Sequence, residues 1–189
     1  MTSDKDYQAI IERDMIPDLD LYMDQVRQLF EKTYADHTRD DKEKILTKTM
    51  INNYAKSKLL PPIVNKKYQT EHVMLIQMIY QLKGALSLQD IETVLSYISP
   101  SIEDEKKRNH VYDDYVTLMK KQARDAVEMK KAMEADLARE EESLADFFSI
   151  ASLVQLSAVF RKMAEDRIDT LSEEKTQTET NVSKHDRDS

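Results

Sequence analysis

Apolar residues recur at helical spacing in four segments of the first hundred residues. The spacing predicts helices over 19–34, 47–60, 70–82 and 87–98. An aspartate at position 18 or 20 is placed to cap the first helix, and Pro61 and Pro62 end the second because proline cannot continue a helix. The third segment is apolar on most sides, which predicts a central helix.

The second half of the chain follows a different pattern. No proline or glycine occurs after Pro100, and a heptad frame extends from Tyr112 to Ala158. Twelve of its fourteen positions are apolar, which favours long helices packed as a coiled coil or as a helical hairpin. The charged run 139–142, followed by Ser143 as a possible N-cap, leaves two antiparallel helices and one unbroken rod as alternatives.

The most apolar stretch of the chain covers residues 144–160. It contains Asp146, three serines and a glutamine, which a lipid-exposed span of about 20 residues rarely tolerates. We therefore expect a buried helix of a soluble protein and no membrane contact. Residues 1–14 are polar and lack the apolar core of a secretory signal, so we expect a cytoplasmic protein.

These patterns predict an all-α protein with four parts. Residues 1–17 are expected to form a flexible arm, 18–100 a small helical domain and 101–171 a region of long helices. Residues 172–189 are polar and are expected to be disordered.

Composition argues against most catalytic and metal-binding chemistry. The chain has no cysteine, which excludes disulfides and thiolate metal sites, and its one glycine, Gly84, excludes a glycine-rich phosphate loop. The four histidines (His37, His72, His110 and His185) lack metal-site spacing and are interpreted as surface residues. We therefore predict no catalytic residue, no metal and no cofactor, with an enzyme as a distant alternative.

Charge is distributed unevenly along the chain. The formal net charge is -8, yet the window 42–83 has eight basic residues against two acidic ones. This window is therefore +6 and the remainder is -14. A basic island on an acidic chain is typical of a face that meets phosphate, although a lysine-rich solvated surface has the same composition.

The second predicted helix carries a row of polar side chains on one face. Thr49, Asn52, Asn53 and Lys56 share that face by i, i+3, i+4 and i+7 spacing, opposite an apolar side that includes Tyr54. Asparagine pairs bidentately with adenine in the major groove, so this row could read bases. An ordinary polar helix surface is the alternative reading.

A series of strings in this region resembles the DNA-binding domain of the mercury-resistance regulator (MerR) family. They are residues 54–62 (YAKSKLLPP), 68–71 (YQTE), the apolar run 75–82, and 87–91 (SLQDI) with Val94 and Leu95. The resemblance implies a winged helix-turn-helix domain, in which a recognition helix precedes a wing. It also implies a homodimer that forms through an antiparallel coiled coil.

The chain departs from the MerR pattern at two informative places. Asn52, Asn53 and Tyr54 stand where the family usually has Arg-Tyr-Tyr, so that arginine's contact with the DNA backbone is not carried over. The segment between Pro62 and Tyr68 is shorter than a typical wing and has no glycine. We therefore expect a truncated wing that presents Lys66 and Lys67.

Taken with these strings, the flanking strings 20–26 (DLYMDQV) and 47–54 (TKTMINNY) make the whole chain similar to a bacterial family known as domain of unknown function 1836. That name implies no activity.

Together, the residues and the resemblance predict a transcriptional regulator that binds duplex DNA as a dimer through its C-terminal helices. Base contacts are predicted for Thr49, Asn52, Asn53 and Lys56. Phosphate contacts are predicted for Lys48, Lys58, Lys66, Lys67 and Tyr68. The alternative is a helical protein-interaction or scaffold module that keeps this fold without binding DNA.

Overall fold

The computed structural model of this protein describes residues 7–38 and 44–185, with side chains as far as residue 175. The described residues form seven α-helices, two short 3-10 helices (Arg13–Met15 and Ala35–His37) and a two-stranded sheet of β1 (Leu21–Tyr22) and β2 (Lys67–Tyr68). The helices are α1 (Met23–Tyr34), α2 (Lys48–Lys56), α3 (Thr70–Leu82), α4 (Leu88–Ser96), α5 (Ser99–Ile102), α6 (Glu105–Asp136) and α7 (Glu142–His185). The predicted mainly α-helical fold is confirmed.

Helix α3 lies at the centre of the N-terminal domain. Every residue from His72 to Ile79 is buried, so this helix is covered on all sides, as its apolar sequence predicted. The same core includes residues from four other helices: Val26, Phe30, Ile51, Tyr54, Ile91, Leu95, Tyr112 and Val116. Burial of this continuous apolar surface is the main favourable contribution to folding.

Helix α1 begins at Met23, later than the predicted start at Leu19. The residues before it, Leu21 and Tyr22, pair antiparallel with β2 and are therefore extended. Gln25 Oε1 accepts a hydrogen bond from the Tyr22 N–H at 2.8 Å, which satisfies one of the free donors at the helix start. The predicted aspartate caps at positions 18 and 20 are wrong because these residues precede the strand.

The N-terminal segment is packed against the domain, so the predicted flexible arm is wrong for residues 7–17. Ile10, Ile11 and Ile16 are buried in the core. Gln77 Oε1 in α3 accepts the Ile11 N–H at 3.4 Å, and the Tyr112 hydroxyl in α6 donates to the Ile11 carbonyl at 2.7 Å. Residues 1–6 lie outside the described part of the chain.

The domain continues beyond Pro100, where the sequence pattern placed its boundary. Ile102 in α5 and Tyr112 and Val116 in α6 belong to the same buried cluster as α3. Arg108 in α6 donates to Glu71 in α3 at 2.9 Å, and both side chains are mostly buried. The first part of α6 is therefore a component of the N-terminal domain as well as the start of a long helix.

Helices α6 and α7 form an antiparallel hairpin. Of the two alternatives left open for the heptad region, the structure therefore has two antiparallel helices and not one unbroken rod. α6 ends at Asp136, and α7 begins at Glu142 after a short connection. Past its midpoint, α7 returns to the domain, where Ile168 is buried and the Tyr97 hydroxyl donates to the Leu171 carbonyl at 2.8 Å. The packing between these two helices lies within one chain.

The apolar part of α7 is exposed, so the predicted buried helix is wrong. Its large exposed side chains include Phe147, Phe148, Ile150, Val154 and Phe160. By length and composition, the segment 142–175 is also the one helix in the described residues that could cross a membrane, and none of its most apolar window is buried. Hydrophobic periodicity identifies an apolar helix face, but it does not show whether another part of the chain covers that face.

The predicted disordered tail is helical as far as the structure describes it. α7 continues to His185, beyond the predicted end at residue 171. The last four residues, 186–189, lie outside the described part of the chain.

The hydrogen bond between Tyr112 and Ile11 gives a first testable prediction. Tyr112→Phe removes the donor to a buried carbonyl, so we expect the free energy of unfolding to fall by about 1–3 kcal/mol. The measurement is the urea concentration at the unfolding midpoint of the full chain, which should fall while the m-value, the dependence of the unfolding free energy on urea concentration, stays unchanged.

Tyr97→Phe is the matched control because it also removes a tyrosine hydroxyl that donates to a backbone carbonyl. Tyr97 is half exposed, so water can replace its hydroxyl at Leu171 and the loss should be smaller. Equal decreases in the free energy of unfolding of the two variants would show that the buried bond to Ile11 stabilises the fold no more than the exposed bond to Leu171.

Candidate nucleic-acid interface

The four predicted base-reading residues lie on the solvent-facing side of α2. Thr49, Asn52, Asn53 and Lys56 are all exposed, whereas Ile51 and Tyr54 on the other side are buried in the core. Thr47 begins the helix, because its hydroxyl oxygen accepts the Met50 N–H at 3.1 Å. One side of α2 therefore packs on the core, and the opposite side presents a row of polar side chains to solvent.

The C-terminal end of α2 fixes the position of Lys58. Leu59 N–H donates to the Tyr54 carbonyl at 3.0 Å and Lys58 N–H donates to the Ala55 carbonyl at 3.1 Å, which together form a Schellman motif. Lys58 has a φ of 56°, the left-handed conformation that usually selects glycine at this position. The backbone conformation at Lys58 is therefore fixed, and its exposed side chain projects directly after the end of α2.

A tight turn over residues 64–67 lies where the sequence analysis predicted a truncated wing. Asn65 and Lys66 have φ values of 52° and 59°, and the Lys67 N–H donates to the Val64 carbonyl at 3.0 Å. Two positive φ values inside such a hydrogen-bonded turn correspond to type I′, which asparagine tolerates at its first central position. The turn exposes Asn65 and Lys66, and Lys67 is partly buried at the start of β2.

Tyr68 does not offer the phosphate contact that was predicted for it. The whole residue is 3% exposed, its backbone pairs with Leu21 in β1, and burial raises the pKa of its hydroxyl. Strand pairing turns this side chain into the domain, where its ring packs edge-on against His72 at a centroid distance of 5.9 Å. The prediction is corrected because side chains alternate between the two faces of a strand.

His72 is a positioning residue that the sequence analysis interpreted as a surface histidine. It is 1% exposed, and its Nδ1 accepts the Gln69 N–H at 3.0 Å. Its Nε2 lies 3.3 Å from the Pro61 carbonyl oxygen, to which a neutral ring with the proton on Nε2 donates. One imidazole therefore connects the backbone on both sides of the turn.

Two lysines of this surface have carboxylate neighbours. Lys48 Nζ lies 3.1 Å from Asp24 Oδ1, and Lys67 Nζ lies 3.7 Å from Asp20 Oδ2. The hydrogen bond and charge of Lys48 lower the pKa of the Asp24 carboxyl. Lys56, Lys58 and Lys66 form no ion pair with any other residue in 7–38 or 44–175.

A shallow groove of about 640 Å³ lies next to Lys58, between the 59–62 loop and helices α4 and α5. Leucine and proline side chains form part of its wall, together with Glu71, Glu92 and Glu103. Over the described ranges, no three histidine or carboxylate side chains are grouped so that they could hold a metal ion.

Comparison with protein families identifies the domain that carries this surface. Residues 11–115 match the model of a family described as domain of unknown function (DUF1836). The chain belongs to the DUF1836 family. The matched DUF1836 region begins at the buried Ile11 and ends at Tyr115 in α6, so it includes the N-terminal segment and the start of α6.

Helix α7 lies outside the DUF1836 match. Neither the comparison with curated proteins nor the comparison with solved structures finds a match.

The ion pair at Lys48 leads to a prediction about the electrostatics of this surface. Asp24→Asn removes the carboxylate partner of Lys48, so the predicted binding of duplex DNA should become tighter at low salt. Fluorescence anisotropy with a labelled random-sequence duplex measures this change.

Asp136→Asn is the matched control, since it also removes one negative charge but lies at the far end of α6, about 45 Å along the helix from its start. Similar gains in both variants would mean that net charge, and not the position of Asp24, controls the affinity.

Proposed function

We propose that this DUF1836 protein is a transcriptional regulator of the MerR-like winged helix-turn-helix type and that α2 enters the major groove of duplex DNA. The observation that supports the proposal is the arrangement of α2. A helix buried on one side presents Thr49, Asn52, Asn53 and Lys56 on the other, with lysines at both of its ends.

The dimensions and chemistry of α2 suit base reading. Nine residues give a helix about 13 Å long, and the major groove is about 12 Å wide. Asn52 and Asn53 can each accept and donate to adenine at N6 and N7, and Thr49 can contact either a polar base edge or a thymine methyl. Lys56 would pair with guanine O6 or N7.

Phosphate contacts in this proposal come from Lys48, Lys58, Lys66 and Lys67. Lys58 and Lys66 are presented by backbone in left-handed conformations, which places their side chains beyond the end of α2 and at the tip of the turn. Lys48 and Lys67 would exchange their carboxylate neighbours for phosphate on binding.

The proposal includes a dimer that acts in the cytoplasm. In helix-turn-helix dimers, the two recognition helices contact half-sites about 34 Å apart, which is one turn of the duplex. Pairing of two chains through the C-terminal helices would supply this symmetry.

A protein-interaction or scaffold module is the second candidate function. The observation in its favour is the position of Asp20 and Asp24, because carboxylates beside two of the four lysines oppose the approach of a polyanion. A scaffold would use the same exposed α2 face to bind another protein.

Selection of bound fragments from random duplex DNA at two salt concentrations separates the two candidates. A regulator should enrich a sequence motif, and its affinity should fall with salt at a log–log slope of about 0.9 for each phosphate contact. No enrichment and no binding at low salt would leave the scaffold as the function.

Variants of single residues test the assigned roles. Asn52→Ala with Asn53→Ala should reduce the preference for the selected motif by about 1–3 kcal/mol for each lost base pairing. Lys58→Gly and Lys66→Ala should weaken all duplexes alike and lower the salt slope by about one each. Glycine at position 58 suits the left-handed backbone, so this variant keeps the fold.

Lys131→Ala is the control for the lysine variants. This exposed lysine lies near the C-terminal end of α6, and we expect its removal to leave the salt slope unchanged. An unchanged slope in Lys58→Gly and Lys66→Ala as well would contradict the assigned phosphate contacts.

A further inference from the structure

The shallow groove between the 59–62 loop and helices α4 and α5 has an apolar floor. Five residues of the hydrophobic core line it, each with only a small exposed edge: Leu59, Leu60, Leu75, Leu95 and Ile102. Because core packing fixes these side chains, the groove exists before anything binds to it. Its floor can bury aliphatic side chains of a partner and so remove them from water.

Two polar contacts hold the walls of the groove. His72 Nε2 lies 3.3 Å from the Pro61 carbonyl oxygen and so restrains the loop. Arg108 donates to the Ile102 carbonyl at 3.1 Å and to the Glu71 carboxylate at 2.9 Å. Arg108 therefore already balances the charge of Glu71, and a partner meets the other charged side chains of the groove.

The other polar groups along the groove are mainly hydrogen-bond acceptors. Glu92 and Glu103 are exposed, and neither forms an ion pair with a residue in 7–38 or 44–175. The Ser96 hydroxyl donates to the Thr93 carbonyl at 2.7 Å, so its oxygen is left to accept from a partner. Among the described residues that line the groove, Lys58 is the one cation.

Helix orientation adds to the negative character of the groove. Residues 58–60 follow the C-cap of α2, and Ser96 is the last residue of α4, so the groove lies at the C-terminal ends of both helices. The last carbonyls of a helix carry a partial negative charge, which stabilises a cation nearby. The helix ends and the two glutamates therefore favour the same sign of charge in a partner.

We propose that this groove binds a segment of another protein in which leucine-like side chains stand next to arginine or lysine. The apolar floor takes the aliphatic side chains, and Glu92 and Glu103 pair with the cations. A small molecule is a poorer fit, because small-molecule sites enclose most of their ligand and this groove is shallow. A protein segment covers such a groove with the rest of its own surface.

The groove is separate from the α2 face that is proposed to read DNA. Of the residues assigned to DNA contacts, only Lys58 also lines the groove. The inference therefore needs no DNA binding, and the groove and the regulator function can fail separately. All the lining residues lie between 58 and 103, within the DUF1836 match, so the groove belongs to the family domain.

The first experiment selects peptides from a phage-displayed random library on the immobilised full chain. Phage that bind the double variant Glu92→Gln with Glu103→Gln are removed beforehand. We expect the selection to enrich peptides that combine leucine or isoleucine with arginine or lysine. Enrichment of acidic peptides, or no enrichment at all, would overturn the proposal.

The second experiment measures the dissociation constant of one enriched peptide, labelled with a fluorophore, by anisotropy. Glu92→Gln with Glu103→Gln should raise it at least about tenfold, because two charge-assisted hydrogen bonds are lost. Ser99→Phe adds a ring at an exposed lining position and should weaken binding at least as much. These substitutions are at exposed positions, so the fold is kept, which circular dichroism checks. Unchanged binding in either variant would refute the site.

Lys58→Gly should change the affinity in the opposite direction. It removes the one cation of the lining, so the peptide should bind tighter by about twofold or more, whereas the same variant is expected to bind DNA more weakly. Weaker peptide binding by Lys58→Gly would contradict the assigned charge of the groove.

Two double variants are the matched controls. Glu140→Gln with Glu141→Gln removes the same charge from the connection between α6 and α7, and Asn52→Ala with Asn53→Ala alters the exposed face of α2. Both should bind the peptide like the wild type. Equal weakening in the first would mean that net charge controls binding, and weakening in the second would place the peptide on α2; either result would overturn the proposal.

Two further measurements test other occupants of the groove. n-Hexylammonium has one cation and one aliphatic chain, and it should bind at least about a hundredfold more weakly than the peptide because it makes far fewer contacts. Comparable affinity would make a small amine the ligand and would overturn the proposal. Self-association of the wild type that Ser99→Phe reduces would place a second copy in the groove, with the same consequence.

Discussion

Gln77 and Tyr112 hold the backbone of Ile11 from two different helices. Gln77 in α3 accepts its N–H, and Tyr112 in α6 donates to its carbonyl. All three residues are fully buried, so each broken bond would leave a polar group without water. Gln77 also donates to the Tyr34 hydroxyl in α1, and burial raises the pKa of Tyr34 to about 12. The N-terminal segment, α1, α3 and α6 are therefore parts of one cooperative unit.

The candidate interface depends on this unit for its geometry. Helix α2 has only nine residues, too few to be stable alone in water, and its position comes from Ile51 and Tyr54 in the core. His72 at the start of α3 connects the backbone at Pro61 and Gln69 and so fixes the turn that carries Lys66. A rigid core thus orients short exposed elements, which is the arrangement that base reading requires.

Helix α7 has two sides that differ in residue size and exposure. The less exposed side of α7 has small residues such as Ser149 and Ser152, while Phe147, Ile150 and Val154 are exposed. A single chain with such an exposed apolar face tends to associate, because water contact with these side chains is unfavourable. Association is therefore expected to be a property of the C-terminal helices and DNA binding a property of the DUF1836 domain.

Local periodicity in the sequence by itself determined the mainly helical fold, the central position of α3 and the exposed row Thr49, Asn52, Asn53 and Lys56, because each depends on residues within a few turns. Only the tertiary structure decided which face of α7 is covered, that Tyr68 and His72 are buried, and that the domain extends from Ile11 to the start of α6. The reason is sequence distance. The two partners of Ile11 are Gln77, which is 66 positions away in the sequence, and Tyr112, which is 101 positions away. No local sequence pattern indicates partners at such distances.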